Sequence, residues 1–417
     1  MMFDLDRWHE IFITISRNKL RSFLTAFGVF WGIFMLIVLI GGGNGLGNLI
    51  SGQVEGITTN SCYIWNGRTS EAYKGFRKGR WWTVSNRDIE IIKAKVKGIE
   101  EISPLVLPWT PAQDNAVRGE KKGTFSVQGT YPNFNKVYTH KMKFGRYLND
   151  IDLQEHRKVC VIGSRVYEAL FNRGEDPSGK DIRVDGVYYK VIGVGDGNED
   201  MSFNGDPRET ISIPFTVMQQ LYNYGENVDM FAIMAKPNFA VSELQEQIET
   251  ILKANHDIAP YDKQAINSFN VEARFQQIGS LLFGVNILAW IVGFGTLFAG
   301  IIGVSNIMMV TVRERTQEIG IRRALGAKPS SIMTQIMSES FIITAIAGFL
   351  GISFAVLILQ MVDLGLDVSG SGATVFQISF ITSVVAAFII IILGTLAGLG
   401  PAFRAMKIKP IEALSEE

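Results

Sequence analysis

Four stretches of this chain carry no charged residue: 22–54, 275–312, 340–362 and 377–403. Each holds an apolar run long enough for a helix to cross the hydrocarbon core of a membrane, for which about 20 residues suffice. Between the first and second lie some 220 residues of ordinary polar and charged sequence. The chain therefore reads as part membrane and part soluble. Its composition agrees, with 47% hydrophobic residues and a mean hydropathy of +0.18, too apolar for an ordinary soluble protein and too polar for one wholly in lipid.

The first stretch has a competing reading as a signal peptide, because a basic flank precedes it and small residues follow. Its apolar run exceeds a normal signal core and the flank is long, so a retained span is expected. Basic residues set the orientation. Twelve lie on the short segments of one side: Arg7, Arg17, Lys19 and Arg21; Arg313, Arg315, Arg322, Arg323 and Lys328; Arg404, Lys407 and Lys409. The short loop 363–376 on the other side has Asp363 and Asp367 and no Lys or Arg. Both ends are thus expected in the cytoplasm and the large domain outside.

The expected organisation is an amphipathic surface helix at 1–20, a first span at 21–46, an extracytoplasmic α+β domain at 47–274 and a stalk and second span at 275–311. A cytoplasmic loop and helix at 312–335, a third span at 336–362, the outer loop at 363–376, a fourth span at 377–403 and a cytoplasmic tail at 404–417 complete it. The surface helix rests on Leu5, Trp8, Phe12 and Ile15, spaced by three and four among charges, as suits a helix lying in the membrane interface. Gly28 with Gly32, and Gly394 with Gly398, form GxxxG pairs that allow close helix packing. The glycine run 41–47 is expected to loosen the exit of the first span.

In the outer domain, β-rich runs recur at 62–65, 101–107, 124–127, 159–162, 187–194, 210–213 and 230–234. Helical patterns fit 86–96, with Ser85 and Asp88 as a capping pair, then 164–171 and 241–253. Two motifs look functional and fail on inspection. Gly174 to Asp181 is a phosphate-binding loop but for one residue, Asp181 where Ser or Thr should hold magnesium, and it follows a helix instead of a strand. Asp196 to Asp200 begins like a calcium loop, but Met201 replaces the required glycine and Pro207 the bidentate Glu. The four histidines, His9, His140, His156 and His256, are scattered, and no catalytic constellation is visible. Cys62 and Cys160 could pair in an oxidising compartment but make no framework. Residues 68–82 cluster Tyr73, Phe76, Trp81 and Trp82 among basic side chains. They read either as an exposed contact surface or as core and interfacial anchors.

A net charge of zero, from 40 basic and 40 acidic residues, decides nothing about nucleic acid. The lack of a basic stripe interleaved with aromatics sets it aside. No acid or base sits mid-span, where an ion or proton relay normally needs one, which disfavours a channel or secondary transporter. What remains prominent is the basic piece between the second and third charge-free stretches. It reads either as a docking helix, with Ile319 and Ile321 pressing on a partner, or as a solvated turn.

That piece carries a resemblance. Asn306-Ile-Met-Met, Glu314 through Arg322 and Ala324-Leu-Gly-Ala327 resemble the signature of MacB/FtsX-type ABC transporter permeases. Pro401-Ala402 and Pro410 through Leu414 resemble the same family's terminus. Asp176-Pro-Ser-Gly-Lys180, Val191-Ile-Gly-Val194, Gly145-Arg146 and Val159 through Gly163 are similar, more loosely, to its outer domain. The resemblance implies a permease with no ATPase site of its own, working by mechanotransmission. Glu314, Arg315, Glu318, Ile319, Arg322 and Arg323 would couple it to a separate ABC ATPase, which binds the ATP and magnesium. No cofactor is expected in this chain. A second permease subunit would complete the membrane unit. Efflux, with a periplasmic adaptor and an outer-membrane protein as further partners, leads; lipoprotein release or control of cell-wall hydrolases is the alternative. The bacterial inner membrane is the implied location. A receptor or scaffold with no ATPase partner is the reading from a different class. Two departures stand out: MacB itself carries its ATPase in the same chain, whereas no Walker motif precedes the first span here, and the glycine run would soften the first stalk helix.

Overall fold

The computed structural model describes residues 19–52, 56–108, 113–197, 205–366, 376 and 380–408. The expected surface helix, most of the outer loop and the motif from Pro410 onward lie outside those residues. The chain divides into two compact units, Met1–Ile50 with Ser280–Glu417, and Ser51–Gly279.

The first unit is helical. Helix α1 is Lys19–Gly52. In chain order after the β-rich unit come α8 (Val271–Glu314), α9 (Thr316–Ala324), α10 (Pro329–Leu366) and α11 (Phe380–Met406). The helices α1, α8, α10 and α11 are long and apolar enough to cross a membrane. With 44 residues, α8 is about 66 Å long at 1.5 Å per residue, twice the hydrocarbon thickness. The helices extend past the limits that hydropathy suggested, because a helix does not stop where lipid stops.

Close approach in this unit rests on small residues. A Cβ on Gly32 would stand 3.1–3.2 Å from the backbone of Thr296 and Leu297, and one on Gly28 3.4 Å from Gly300 Cα. On the other side of the unit a Cβ on Gly394 would meet Thr344 at 3.0 Å, and one on Gly398 Ser340 at 3.1 Å. The expectation for the glycine run fails: α1 continues unbroken through Gly41–Gly47. Three of the run's five glycines face side chains on other segments, while Gly42 meets nothing within 4 Å. The Phe376 ring occupies the place a Cβ on Gly45 would take, and Asn286 and Leu282 lie 3.3 Å from those of Gly43 and Gly47. Packing here overrides the roughly 1 kcal/mol that each glycine costs a helix.

The second unit is built on a twelve-stranded sheet. Its elements are β1 (Ser61–Asn66), β2 (Val84–Ser85), α2 (Asn86–Lys95), β3 (Ile99–Val106), β4 (Ala116–Arg118), β5 (Lys121–Gly123), β6 (Ser126–Thr130) and α3 (Phe134–Val137). Next come β7 (Lys141–Gly145), α4 (Asp150–Gln154), β8 (Val159–Ile162), α5 (Ser164–Leu170), β9 (Asp181–Val184), β10 (Val187–Asp196), β11 (Thr210–Pro214) and α6 (Phe215–Leu221). The last are β12 (Asn227–Val228), β13 (Met230–Ala235), α7 (Val241–Asn255) and β14 (Ile266–Asn270). The strand order is β14-β1-β13-β3-β6-β11-β8-β10-β9-β4-β5, with β7 on β10 and a separate β2–β12 ribbon. Pairs β6–β11 and β8–β10 are parallel and the other pairs antiparallel.

The central strands are apolar on both faces because both are covered. In β13, Phe231, Ile233 and Ala235 join one cluster, while Met230, Ala232 and Met234 join another with Tyr63, Leu105 and Phe134. This alternation is the period-2 pleat of a strand. Helix α7 closes the first cluster with Val241, Leu244, Ile248 and Leu252, the three-four spacing of one helix face. Helix α2 starts at the capping box of Ser85 and Asp88, each side chain bonding the other's backbone.

Candidate functional site

The basic piece between α8 and α10 folds into the nine-residue helix α9. Helix α8 ends at Glu314, and Arg315 breaks the run with φ −101° and ψ 13°. The Thr316 hydroxyl turns back to donate to the Arg313 carbonyl at 2.8 Å. At the far end Gly326 takes φ +92°, a left-handed conformation that glycine adopts without penalty. Gly326 N–H donates to Arg323 O and Ala327 N–H to Arg322 O, both at 3.0 Å. That pair of bonds is a Schellman motif, which satisfies the last helical carbonyls. Pro329 then opens α10, where its missing N–H costs nothing.

The faces of α9 differ. Ile319 is buried and belongs to the apolar cluster that includes Val312, Ile332, Ile336 and Ala405. The expectation that it presses on a partner is thus corrected: its side chain packs within its own unit. Ile321 does face solvent, 49% exposed, and Leu325, one turn on, is 84% exposed. Leu325 was missed because it sits inside the Ala-Leu-Gly-Ala run, where it reads as helix-end filler. Its i, i+4 relation to Ile321 was the available signal.

The charged residues are mostly engaged. Arg315 Nη1 reaches the Glu339 carboxylate of α10 at 3.3 and 3.4 Å, and Glu339 is buried. Arg322 bonds Glu318 at 2.8 Å along the helix and the Gln335 amide oxygen of α10 at 3.2 Å. Arg323 donates to the carbonyls of Met406 and Ile408, at 2.8 and 2.6 Å, beyond the last turn of α11. Glu314 and Glu318 are exposed. Of the six residues singled out for coupling, then, Arg315, Ile319 and Arg323 are turned into the helical unit. Glu318 faces outward beside Ile321 and Leu325. Glu339 lies one residue before a charge-free stretch, with nothing in the chain's pattern to join it to Arg315.

In the β-rich unit the apparent phosphate loop is a turn. Lys180, in the lysine position, bonds Glu175 at 2.5 Å, and Arg118 bonds the same carboxylate at 2.7 Å. The Lys180 ammonium, the Asn172 N–H and Arg118 together hold the Glu175 carboxyl down to about 2. Gly179 N–H donates to Val191 O, pinning the turn to β10. In the calcium-like loop, Asp196 accepts from Ser164 N–H at 2.7 Å and pairs with Lys143; residues 198–204 lie outside the described ones. Among the described residues no group of His, Cys, Asp and Glu could hold a metal.

His9 lies outside the described residues, and the other three histidines are not brought together. His140 is buried beside Tyr138 and Tyr147, and burial pushes its pKa down to about 4. His256 bonds Asp88 at 2.9 Å. Burial opposes that carboxylate, but bonds from His256, Ser85 and Asn255 outweigh it and hold the pKa at about 2. Both cysteines are free and buried. Burial pushes the Cys62 thiol up to about 12 and raises Cys160 as well, which leaves neither as a reactive thiolate.

Residues 68–82 form an ordered excursion. Tyr73 and Phe76 exchange backbone bonds across Lys74 and Gly75, both at positive φ, as in a tight hairpin turn. Trp82 is buried and donates to Ala265 O at 2.8 Å. Phe76 and Trp81 are exposed, with Arg80 and Arg68 over their rings at 4.1 and 5.9 Å. Three of the four aromatics thus sit outside the core, Tyr73 only partly.

Comparison with known proteins matches residues 22–251 to the MacB-like periplasmic core domain and residues 290–410 to the FtsX-like permease C-terminal region. The macrolide export ATP-binding/permease protein MacB of Bdellovibrio bacteriovorus is 28% identical over 427 residues, which cover 99% of this chain and 62% of that protein. The pyoverdine export ATP-binding/permease protein PvdT of Pseudomonas putida is 27% identical over 409 residues, 96% of this chain and 58% of that one. The chain therefore spans about three fifths of the length of the curated relatives it matches. The solved periplasmic region of MacB from Actinobacillus actinomycetemcomitans is similar over 54% of this chain and 95% of that one, at 20% identity and TM-score 0.43.

Proposed function

We infer the function from family membership: the chain belongs to the family of the MacB-like periplasmic core domain, and it carries an FtsX-like permease region. It is a multi-pass membrane protein and an ABC transporter permease component. Our reading is that a separate ATPase hydrolyses ATP with magnesium, and that α9 receives the movement and passes it to the rest of the permease. The observation that carries this is the outward face of α9. Ile321 and Leu325 are exposed on a helix nine residues long, with the Glu318–Arg322 pair beside them. An exposed apolar pair rimmed by charge is the usual form of a small docking surface.

The five basic residues from Arg313 to Lys328 support placing α9, and with it both chain ends, in the cytoplasm of a bacterium's inner membrane. The names of the relatives, macrolide and pyoverdine exporters, support efflux as the task. A second permease subunit and, for efflux, a periplasmic adaptor and an outer-membrane protein would complete the machine. Lipoprotein release is the second reading, favoured by the exposed Phe76 and Trp81, which offer an apolar surface.

Gentle solubilisation from the native membrane followed by mass spectrometry tests the first step. An ATPase with Walker motifs should co-purify, and Leu325→Glu or reversal of Glu318 should release it while the permease stays folded. An ATPase that remains bound through both changes would sink the docking assignment. A co-purifying periplasmic adaptor would favour efflux, and a lipoprotein would favour release.

A further inference from the structure

Helix α9 leaves α8 through a single non-helical residue, Arg315, yet side chains here are tied to two other long helices, α10 and α11. Three arginines do this, Arg315 at the break and Arg322 and Arg323 within the helix. Arg315 holds Glu339 and Arg322 holds Gln335, residues one turn apart on α10, and Arg323 caps the carbonyl end of α11. Ile319 fills the space beneath, against Ile332, Ile336 and Ala405. Glu339 is the least accessible of the charged residues in this set, at 5% exposure. A carboxylate so buried needs a cation and hydrogen-bond donors to remain ionised. Arg315 supplies both from the residue at which the helix breaks.

We propose that Glu339 is a positioning residue that clamps α9 to α10, so that a push on α9 reaches α10 and α11 together instead of bending back into α8. The proposal rests on the reading that α9 receives the ATPase. Arg315 is where the chain would swing if nothing held it, since one break in a helix is a hinge. The Arg315–Glu339 pair closes that hinge from the side. Arg323, by donating to the end of α11, extends the same body across a second helix, where a cation is favoured by the carbonyl dipoles.

The test places spin labels on the full-length chain in lipid nanodiscs, at Ala324→Cys on α9 with either Val310→Cys on α8 or Ile346→Cys on α10. The buried Cys62 and Cys160 are replaced by serine if they take label. In the parent protein both distance distributions should be narrow. Glu339→Gln should broaden both at least twofold, and stimulation of the co-purified ATPase by the permease should fall at least tenfold while the two proteins still co-purify. The exchange Arg315→Glu/Glu339→Arg should narrow the distributions again. Should Glu339→Gln not fold, the double variant Arg315→Met/Glu339→Met, which buries no unpaired charge, is expected to fold and to show the broad distributions. Unchanged distributions in Glu339→Gln, or in the double variant, would overturn the clamp. If instead Leu325→Glu leaves the ATPase bound, the docking reading fails, and the distances still judge the clamp by themselves.

Discussion

The two units of this chain place their aromatic side chains differently. In the β-rich unit the largest side chains are innermost: Tyr63, Tyr189, Phe171, Phe215 and Phe231 are fully buried. In the helical unit aliphatic side chains such as Ile33 and Ile37 are buried too, but the backbones approach closely at Gly28, Gly32, Gly394 and Gly398, and Phe283, Phe349, Ile381 and Phe388 are more than 60% exposed. Water drives large apolar surface inward. Lipid tails are as apolar as those side chains, so no such drive exists between helices in a membrane, and close backbone approach takes its place. The same residue type therefore means different things in the two halves of one sequence.

The sharpest break of that contrast is a matched pair of truncations. Phe231→Ala in the sheet should cost about 3–5 kcal/mol, read as a fall in the denaturation midpoint of the outer unit. Phe349→Ala on α10 should cost under about 1 kcal/mol in the same assay, because it empties no packed site. Next in size is a dependence on acidity in the β-rich unit. His140 is neutral when buried, with a pKa near 4 against 6.5 when free. The folded state thus binds fewer protons than the unfolded one between those values, so stability is full above pH 6.5 and is lost as pH falls toward 4. The loss should reach about 3 kcal/mol, and His140→Phe should flatten that part of a pH-melting curve.

Glycine sharpens the comparison from the other side. Gly32→Leu forces a side chain into the backbone of α8 and should destabilise the helical unit by about 1–3 kcal/mol or more. Gly303→Ala, which meets nothing within 4 Å, should instead be neutral or stabilise by up to about 1 kcal/mol. Thermal melts in detergent would separate the two; equal effects would mean that glycine acts here through flexibility and not through approach. The smallest effect is local: Ser85→Ala removes half of the α2 capping box and should cost about 1 kcal/mol, seen as a small shift in the outer unit's midpoint.

Much of this architecture was legible in the sequence. Absence of charge marked α1, α8, α10 and α11, and alternation or apolar runs marked β1, β8, β10, β11 and β13. Ser85 and Asp88 marked the start of α2. What could not be read is whatever depends on partners distant in the chain. β1 lies between β13 and β14, well over 150 residues away in sequence. β5 is Lys121–Gly123, too polar and short to announce a strand, and it forms because β4 offers an edge. At the candidate site the charge pattern located α9 but could not say which isoleucine faces inward. That is decided by Ile332 and Ile336 on the next helix. The glycine run misled for the same reason, since its helical form depends on Phe376, Asn286 and Leu282.

That dependence makes the stiffness of α1 conditional. A helix segment of five glycines between residues 41 and 47 has almost no rigidity of its own. It borrows rigidity from three side chains on other segments. Its helical form is therefore held from outside, by Phe376, Asn286 and Leu282. Phe376, which fills the place of a side chain at Gly45, thus serves α1 as a side chain borrowed from another part of the chain.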